Sequence, residues 1–324
     1  MSSRYMQPLR FLIQFGFLGF MVWLGIRFYQ FYQSIGSGIK EIVVARPDGI
    51  DGFLPISGLV GSASWLKGGG INSIHPAAVV IFLTVILVSL LLRRAFCSWI
   101  CPVSVISECA WKAGFRLFHR NRRLPVWFDV SLRSLKYLLL LFFVYIVIIA
   151  MSPDALISFI HSDDHMIADV RLLKFFLHMS SLTMVVIMVL TVLSFILKNP
   201  FCRYLCPYGA LLGLVAIVSP LRVTRNSERC VSCGVCSQVC PAYIDVMHKK
   251  SVASSECIAC WRCISHCRFN NALSMRVIQR YAVPGFVFAG MVLLLFWGCT
   301  TIGKLSGHWH SSLSLNDYAR LLGK

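Results

Sequence analysis

The sequence predicts an all-α polytopic membrane protein of about five transmembrane helices, interrupted by a small inserted α+β domain. Three observations carry this expectation. Of the 324 residues, 57% are hydrophobic and only 14% charged, whereas a soluble domain carries about 25% charged residues; the mean hydropathy is +0.72. Five apolar stretches have the length and character of membrane helices, for which about 20 residues are needed. The 14 cysteines are strongly clustered, which points to metal ligation rather than to scattered core thiols.

The predicted spans are 9–33, 76–92, 135–152, 172–197 and 281–299. The first follows Arg4 and Arg10 but is too long for a signal-peptide core and lacks a small-x-small cleavage site, so it reads as an uncleaved anchor. The segments between spans sort by charge. Residues 1–10, 93–136 and 198–280 hold 22 Lys/Arg and 5 acids, and residues 27–67, 154–174 and 300–324 hold 9 Lys/Arg and 8 acids. The positive-inside rule then places the N-terminus and the long basic segments in the cytoplasm and the C-terminal tail outside. Topology accounts for the net charge of +18, and nucleic acid is not an expected partner.

The expected organisation is an N-terminal transmembrane anchor (1–33), a Gly-rich extracytoplasmic loop (34–75), a membrane core (76–220), the inserted domain (221–276), and a fifth helix with a short extracytoplasmic tail (277–324). The loop holds nine of the 22 glycines and the turn signal Arg46-Pro47-Asp48-Gly49. Its apolar piece Phe53-Leu54-Pro55-Ile56 is expected along the membrane surface, either as a plain connector or as a face for quinol or a partner.

Residues 230–267 carry the strongest signal. Cys230, Cys233, Cys236 and Cys240 follow C-x2-C-x2-C-x3-C with Pro241 after them, and Cys257, Cys260, Cys263 and Cys267 repeat the spacing. Each run matches the bacterial pattern that wraps a [4Fe–4S] cluster, with the fourth cysteine ligating the other cluster. Cys230, Cys233, Cys236 and Cys267 are therefore expected to hold one cluster, and Cys257, Cys260, Cys263 and Cys240 the second. The inserted domain thus reads as a bacterial-type two-cluster ferredoxin domain. A zinc ribbon uses paired C-x2-C knuckles and fits triple runs poorly; disulfides are disfavoured in a reducing cytoplasm. Two departures are Arg268, where proline normally stands, and Trp261, where a small residue is common. Both bear on charge and solvent access at a cluster.

A second motif is duplicated. Phe96-Cys97-Ser98-Trp99-Ile100-Cys101-Pro102 recurs as Phe201-Cys202-Arg203-Tyr204-Leu205-Cys206-Pro207, 105 residues on. Residues i and i+4 share a helix face, so each pair is expected to present two thiols to one side. Cys97, Cys101, Cys202 and Cys206 are a candidate four-thiolate site for iron, an iron–sulfur cluster or zinc, the alternative being buried structural cysteines. Cys109 and Cys299 are expected to pack.

The order, spacing and side of these motifs resemble the membrane polyferredoxins: the NapH-type component of nitrate respiration, the C-terminal half of NosR-type proteins, and the YccM-type electron transport proteins. The resemblance covers residues 76–276, and Phe53-Leu54-Pro55-Ile56-Ser57 with His75-Pro76 look like the YccM branch. It implies a carrier in the bacterial cytoplasmic (inner) membrane, quinol dehydrogenase-like rather than a stand-alone enzyme, passing electrons from quinol toward a cytochrome or reductase subunit. It also implies the eight cluster ligands above and extends, more weakly, to the four paired cysteines. An alternative is an assembly or regulatory protein that reduces a metal or matures a respiratory enzyme. No large flavin domain fits before residue 76, and the fifth span departs from the four-span NapH type. Among the histidines, His161-Ser162-Asp163-Asp164-His165 is a candidate for metal binding or quinol proton exchange, and His75 with His178 a candidate haem pair, the ordinary alternative being solvated loop residues.

Overall fold

The computed structural model describes residues 5–36, 44–119, 122–269 and 271–323; residues 37–43 of the expected outer loop lie outside these. The chain forms two compact units. The first is assembled from Met1–Leu18, Val85–Leu140 and Ile187–Phe296, the second from Gly19–Thr84, Leu141–Val186 and Trp297–Lys324.

Among the described residues, three helices are long and apolar enough to cross a membrane: Met6–Ile35, Val126–Ala150 and Gly285–Leu305. The helix Pro76–Leu92 has 17 residues, about 26 Å at 1.5 Å per residue. Where the sequence suggested one span over 172–197, two helices, Ala168–Leu177 and Ser181–Ile196, meet at 79°. The break is made by Ser180, whose hydroxyl oxygen accepts from the Thr183 amide at 3.2 Å and so starts a new helix; uniform hydropathy hides such a cap. The last helix starts at Gly285 rather than 281, because Tyr281–Ala282 is a strand and Pro284 stands just before the helix.

In the first unit, β1 (Leu221–Arg225), β2 (Ser251–Val252), β3 (Leu273–Val277) and β4 (Tyr281–Ala282) form an antiparallel sheet in the order β2-β1-β3-β4. Val223 faces both Val252 and Met275. Leu221, Val223, Leu273 and Met275 alternate into the core, the period-2 pattern of a half-buried strand. The short helices Val235–Gln238 and Arg262–Ser265 complete this α+β body. Residues 187–296 form one unit with 85–140, for reasons that lie in the site below.

In the second unit, the expected Gly-rich connector contains the short helix Asp48–Phe53 and the helix Pro55–Leu66. The apolar Phe53–Ile56 stretch leads into that helix, with Pro55 at its first position, where the missing N–H costs nothing. Gly58 and Gly61 let it lie directly on the Pro76–Leu92 helix: a Cβ on Gly58 would stand 2.7 Å from Phe82 Cβ, and one on Gly61 2.5 Å from Val79 Cγ2. Small residues spaced this way let helix backbones approach closely. The buried Ser57, Ser62, Ala63 and Ser64 extend the small-residue face.

Candidate functional site

The two C-x2-C-x2-C runs fold into matching loops. In each, the residues before and after the central cysteine have positive φ: Ser232 (55°) and Gly234 (76°) around Cys233, Ala259 (49°) and Trp261 (61°) around Cys260. Alternating backbone handedness of this kind turns successive N–H groups inward to make an anion-binding concavity. Cys230, Cys233, Cys236 and Cys267 line one cavity, and Cys240, Cys257, Cys260 and Cys263 line a second. Each cavity thus takes three thiols from one run and the fourth from the other. Burial pushes the Cys240 thiol up to about 12, with Cys260 adding to it, and holds Cys263 well above its ordinary value. Such thiols ionise when iron supplies the positive charge, so four converging thiols around each cavity fit an iron–sulfur cluster.

The duplicated motif keeps its internal geometry. The Cys101 amide donates to Phe96 O and the Cys206 amide to Phe201 O, each at 3.0 Å. Both cysteines have extended backbone and cap the helix that starts at the following proline. The expected shared face of one helix is therefore corrected: Cys97 sits in the Ala95–Trp99 turn, the helix breaks at Ile100, and Cys101 begins the next helix. The two pairs nonetheless meet. Burial and the other three thiols raise Cys202 well above its usual value, and burial with Cys97 and Cys206 nearby pushes Cys101 up to about 12. Cys97 and Cys202 line one cavity with Arg94, Lys198 and Arg203, cations that suit an anionic thiolate centre. Of the remaining two, Cys109 is exposed rather than packed, and Cys299 is half-buried.

The first repeat also anchors the second cysteine loop. Arg93 Nη2 donates to Ser254 O at 2.6 Å, Arg94 Nη1 to Ser255 O at 3.1 Å, and Trp99 Nε1 to Ala259 O at 3.2 Å. Ser98 Oγ donates to Ile258 O, and Gln7 Nε2 to Cys260 O at 3.1 Å. A run of main-chain carbonyls that no strand pairs is thereby satisfied, as buried backbone requires. Beneath it, Arg10 holds Glu108 through two bonds of 2.7 and 2.9 Å, and Arg262 of the loop joins at 3.1 Å. Burial alone would raise the Glu108 carboxyl, but Arg10, Lys112 and Arg262 outweigh it and hold it at about 2. The aromatic rings of Trp99 and Trp261 both pack on Phe288, at 5.5 and 5.7 Å.

The second unit contains a polar centre that the sequence did not reveal. Arg46 donates to Asp51 and, through Nε at 2.9 Å, to Asp169, which also accepts from Tyr318 Oη at 2.9 Å. His75, fully buried, has Nδ1 3.1 Å from Asp51 Oδ1 and Nε2 3.0 Å from the His165 carbonyl. Asp51 and the His165 carbonyl both accept, which favours the doubly protonated ring, while the Arg46 Nη2 donor also stands 3.4 Å from Nδ1. Burial opposes that charge, but Asp51 outweighs it and raises the group above its ordinary value. His165 is its neutral counterpart. It lies against Ile160 O and Ser57 Oγ, each at 3.0 Å, and burial with the nearby His75 charge pushes it down to about 4.

Two expectations are corrected here. His165 points into this centre while His161, Asp163 and Asp164 are exposed, so the 161–165 motif does not assemble. His178 is exposed, and His75 has no free nitrogen for a haem iron. Among the described residues, the one set of three His, Cys, Asp or Glu ligand atoms within 4.8 Å of one another is Asp51, His75 and Asp169; the Arg46 guanidinium already serves as its cation. In the sequence, His75 and His165 stood out only as candidates for other sites, and Arg46-Pro47-Asp48-Gly49 only as a turn.

The two histidines act on stability in opposite directions. For His165, whose folded value is lowered, the unfolded chain binds more protons below about pH 6.5, so stability falls as pH drops from there toward 4, by at most about 3 kcal/mol. For His75, whose folded value is raised, stability is fully present below about 6.5 and is lost as pH rises through the folded value. Thermal unfolding of this unit followed from pH 4.5 to 9 is expected to show a maximum near 6.5. His165→Gln should flatten the acidic limb; an unchanged acidic limb in that variant refutes the assignment.

Comparison with known proteins gives a coherent result. A family model described as a 4Fe-4S binding domain matches residues 74–125 and 177–225, the stretches that carry the paired cysteines. A second, described as a 4Fe-4S dicluster domain, matches residues 222–268. YccM of Escherichia coli, whose name places it in electron transport, is 36% identical over 311 residues, covering 94% of this chain and 87% of its own. The ferredoxin-type protein NapH of Haemophilus influenzae is 27% identical over 204 residues, 59% of this chain and 64% of its own. The methylamine utilization ferredoxin-type protein MauN of Methylorubrum extorquens is 29% identical over 202 residues, 58% and 61%. No solved structure matches the chain.

Proposed function

Because the chain belongs to the family of ferredoxin-type 4Fe-4S electron transport proteins, we propose that it relays single electrons between the quinone pool and a protein redox partner. The observation that carries this reading is the convergence of eight cysteines, four by four, on two cavities. Cys230, Cys233, Cys236 and Cys267 are the ligands of one [4Fe–4S] cluster, and Cys257, Cys260, Cys263 and Cys240 those of the other. Bound there, each cluster supplies a one-electron couple whose potential depends on charge, hydrogen bonding and exposure. The protein's part is positional. Arg93, Arg94, Ser98, Trp99 and Gln7 fix the second loop by its carbonyls, while Trp99, Trp261 and Phe288 exclude water beside it.

Cys97, Cys101, Cys202 and Cys206 are proposed to hold a further iron–sulfur centre. What supports this reading is the match of the 4Fe-4S binding domain model to residues 74–125 and 177–225, which contain both cysteine pairs. The charge asymmetry of the sequence supports a multi-pass protein of the bacterial cytoplasmic membrane, with the N-terminus and the clusters on the cytoplasmic side and the C-terminal tail outside.

A redox titration of the anaerobically purified protein, followed by electron paramagnetic resonance, tests the relay. Midpoints near or above the quinone couple mean that quinol can fill the centres, as expected. Midpoints far below it mean that electrons arrive from a low-potential donor and overturn the quinol assignment. A third signal lost in Cys202→Ser establishes the further centre.

A further inference from the structure

The cavity lined by Cys97 and Cys202 shares a wall with the second ferredoxin-type cavity. Pro241, Ala242 and Ile258 line both it and the cavity of Cys240, Cys257, Cys260 and Cys263. Among the described residues it has no wall residue in common with the cavity of Cys230, Cys233, Cys236 and Cys267. The anchoring bonds agree. The first repeat, which carries Cys97 and Cys101, donates to the carbonyls of Ser254, Ser255, Ile258 and Ala259, all within the second cysteine loop.

Arg94 reaches both sides of that wall. On one side it lines the cavity with Cys97 and Cys202. On the other, its Nη1 donates to Ser255 O at 3.1 Å and stands 3.5 Å from Glu256 Oε2; these two residues precede Cys257. The side chain is buried throughout.

Two glycines of the helix Pro207–Val215 make room for it. A Cβ on Gly209 would stand 2.9 Å from Arg94 Nη2 and 3.5 Å from Cys206 Sγ. One on Gly213 would stand 3.0 Å from Ser255 O and 3.7 Å from Arg94 Nη1. The guanidinium therefore lies along a slot that begins beside the Cys206 thiol and ends at the second cysteine loop. The slot breaks the symmetry of the repeat. At the offset of 105 residues, Gly209 corresponds to Ser104, Gly213 to Glu108, and Arg94 itself to Asn199. The duplicated motif thus supplies one such guanidinium in place of two. The bonds of the other cations on this cavity go elsewhere: Arg203 is held by Asp129 through two bonds of 2.8 Å, and Lys198 donates to Gln238 O at 3.0 Å.

We infer that Arg94 is a positioning residue that bridges the four-thiol centre and the second cluster, one buried cation facing two electron-holding sites. This rests on the reading above that Cys97, Cys101, Cys202 and Cys206 hold an iron–sulfur centre, and it makes the second cluster that centre's redox neighbour. Each added electron makes its site more negative by one charge, and a buried cation beside the site favours that state. A guanidinium placed between two sites raises both potentials together, so it eases their filling without opening a step between them. One electron passing from one site to the other oxidises the first by one and reduces the second by one; no bond forms or breaks.

The test is a redox titration of the full-length, anaerobically purified protein, with iron analysis beside it. The signals are assigned by their loss in Cys202→Ser, Cys260→Ser and Cys233→Ser. Arg94→Met is expected to lower the first two midpoints, each by about tenfold in the one-electron equilibrium, about 59 mV. The third midpoint and the iron content should stay as they are. Arg94→Lys keeps the charge without the reach and is expected to show a smaller drop at both sites. Arg93→Gln is the structural comparison, since it loosens the same loop at Ser254 O and removes no charge from the thiol cavity. Unchanged midpoints in Arg94→Met, or an equal fall of all three, overturn the bridge. So does a fall of the four-thiol midpoint in Arg93→Gln as large as in Arg94→Met. Loss of iron in both Arg94 variants makes the residue structural and overturns it as well. If the wild-type protein shows no signal dependent on Cys202, the four-thiol centre and the bridge both fail. If that signal is present but indifferent to Arg94, the centre stands and the bridge alone fails.

Discussion

Cys260→Ser is expected to remove about half of the iron bound by the two ferredoxin-type cavities and to abolish quinol-driven electron flow, because the second cavity then keeps three thiols of its four. Cys233→Ser should do the same to the first cavity. If electrons pass the two centres in series, loss of either stops the flow, and each single variant is then as inactive as the double variant. Cys109→Ser is the control: that thiol is exposed and lines neither cavity, and its loss should leave iron content and electron flow as they were. Iron analysis of the anaerobically purified proteins, beside reduction by quinol in membranes, reads both quantities. Unchanged iron in Cys233→Ser and Cys260→Ser would sink the ligand assignment.

Arg46→Met should cost about 3–5 kcal/mol, the penalty typical of removing one partner from a buried ion pair. The Asp51 and Asp169 side chains are fully buried and Arg46 nearly so. Asp51 Oδ2 already lacks a partner, so without the guanidinium two carboxylates would face a single imidazolium. Arg46→Lys restores a charge but not the fork that reaches both carboxylates, and is expected to recover only part of the loss. The measurement is the shift in unfolding midpoint for the three proteins at pH 6.5. A shift of under about 1 kcal/mol in Arg46→Met, the range of an exposed pair, would show that this centre does not hold the unit together.

How much of this was legible in the sequence depends on how local each feature is. The cysteine runs were readable because three of the four thiols around each cavity come from one seven-residue stretch, and that spacing leaves little else for them to do. The duplicated pairs were readable as a repeat, but their geometry was not. Periodicity alone placed Cys97 and Cys101 on one helix face, whereas the break at Ile100 makes Cys101 the cap of the next helix. The bend at residues 178–180 was hidden for a related reason: a serine cap within an apolar run barely changes mean hydropathy. Arg46, Asp51, His75, His165, Asp169 and Tyr318 were invisible as a group, since they come from separate segments and each alone looks like an ordinary loop or helix-end polar residue.

The wide separation of those residues along the chain has a consequence for biogenesis. Tyr318 reaches Asp169 across 149 residues, and the unit to which both belong is gathered from three discontinuous stretches. Between the insertion of the first stretch and the synthesis of the last, the nascent chain has its acidic groups in place without the phenol that completes them. Contacts that close such long loops form late and slowly. The polar centre of the second unit therefore cannot be completed until translation has passed Tyr318.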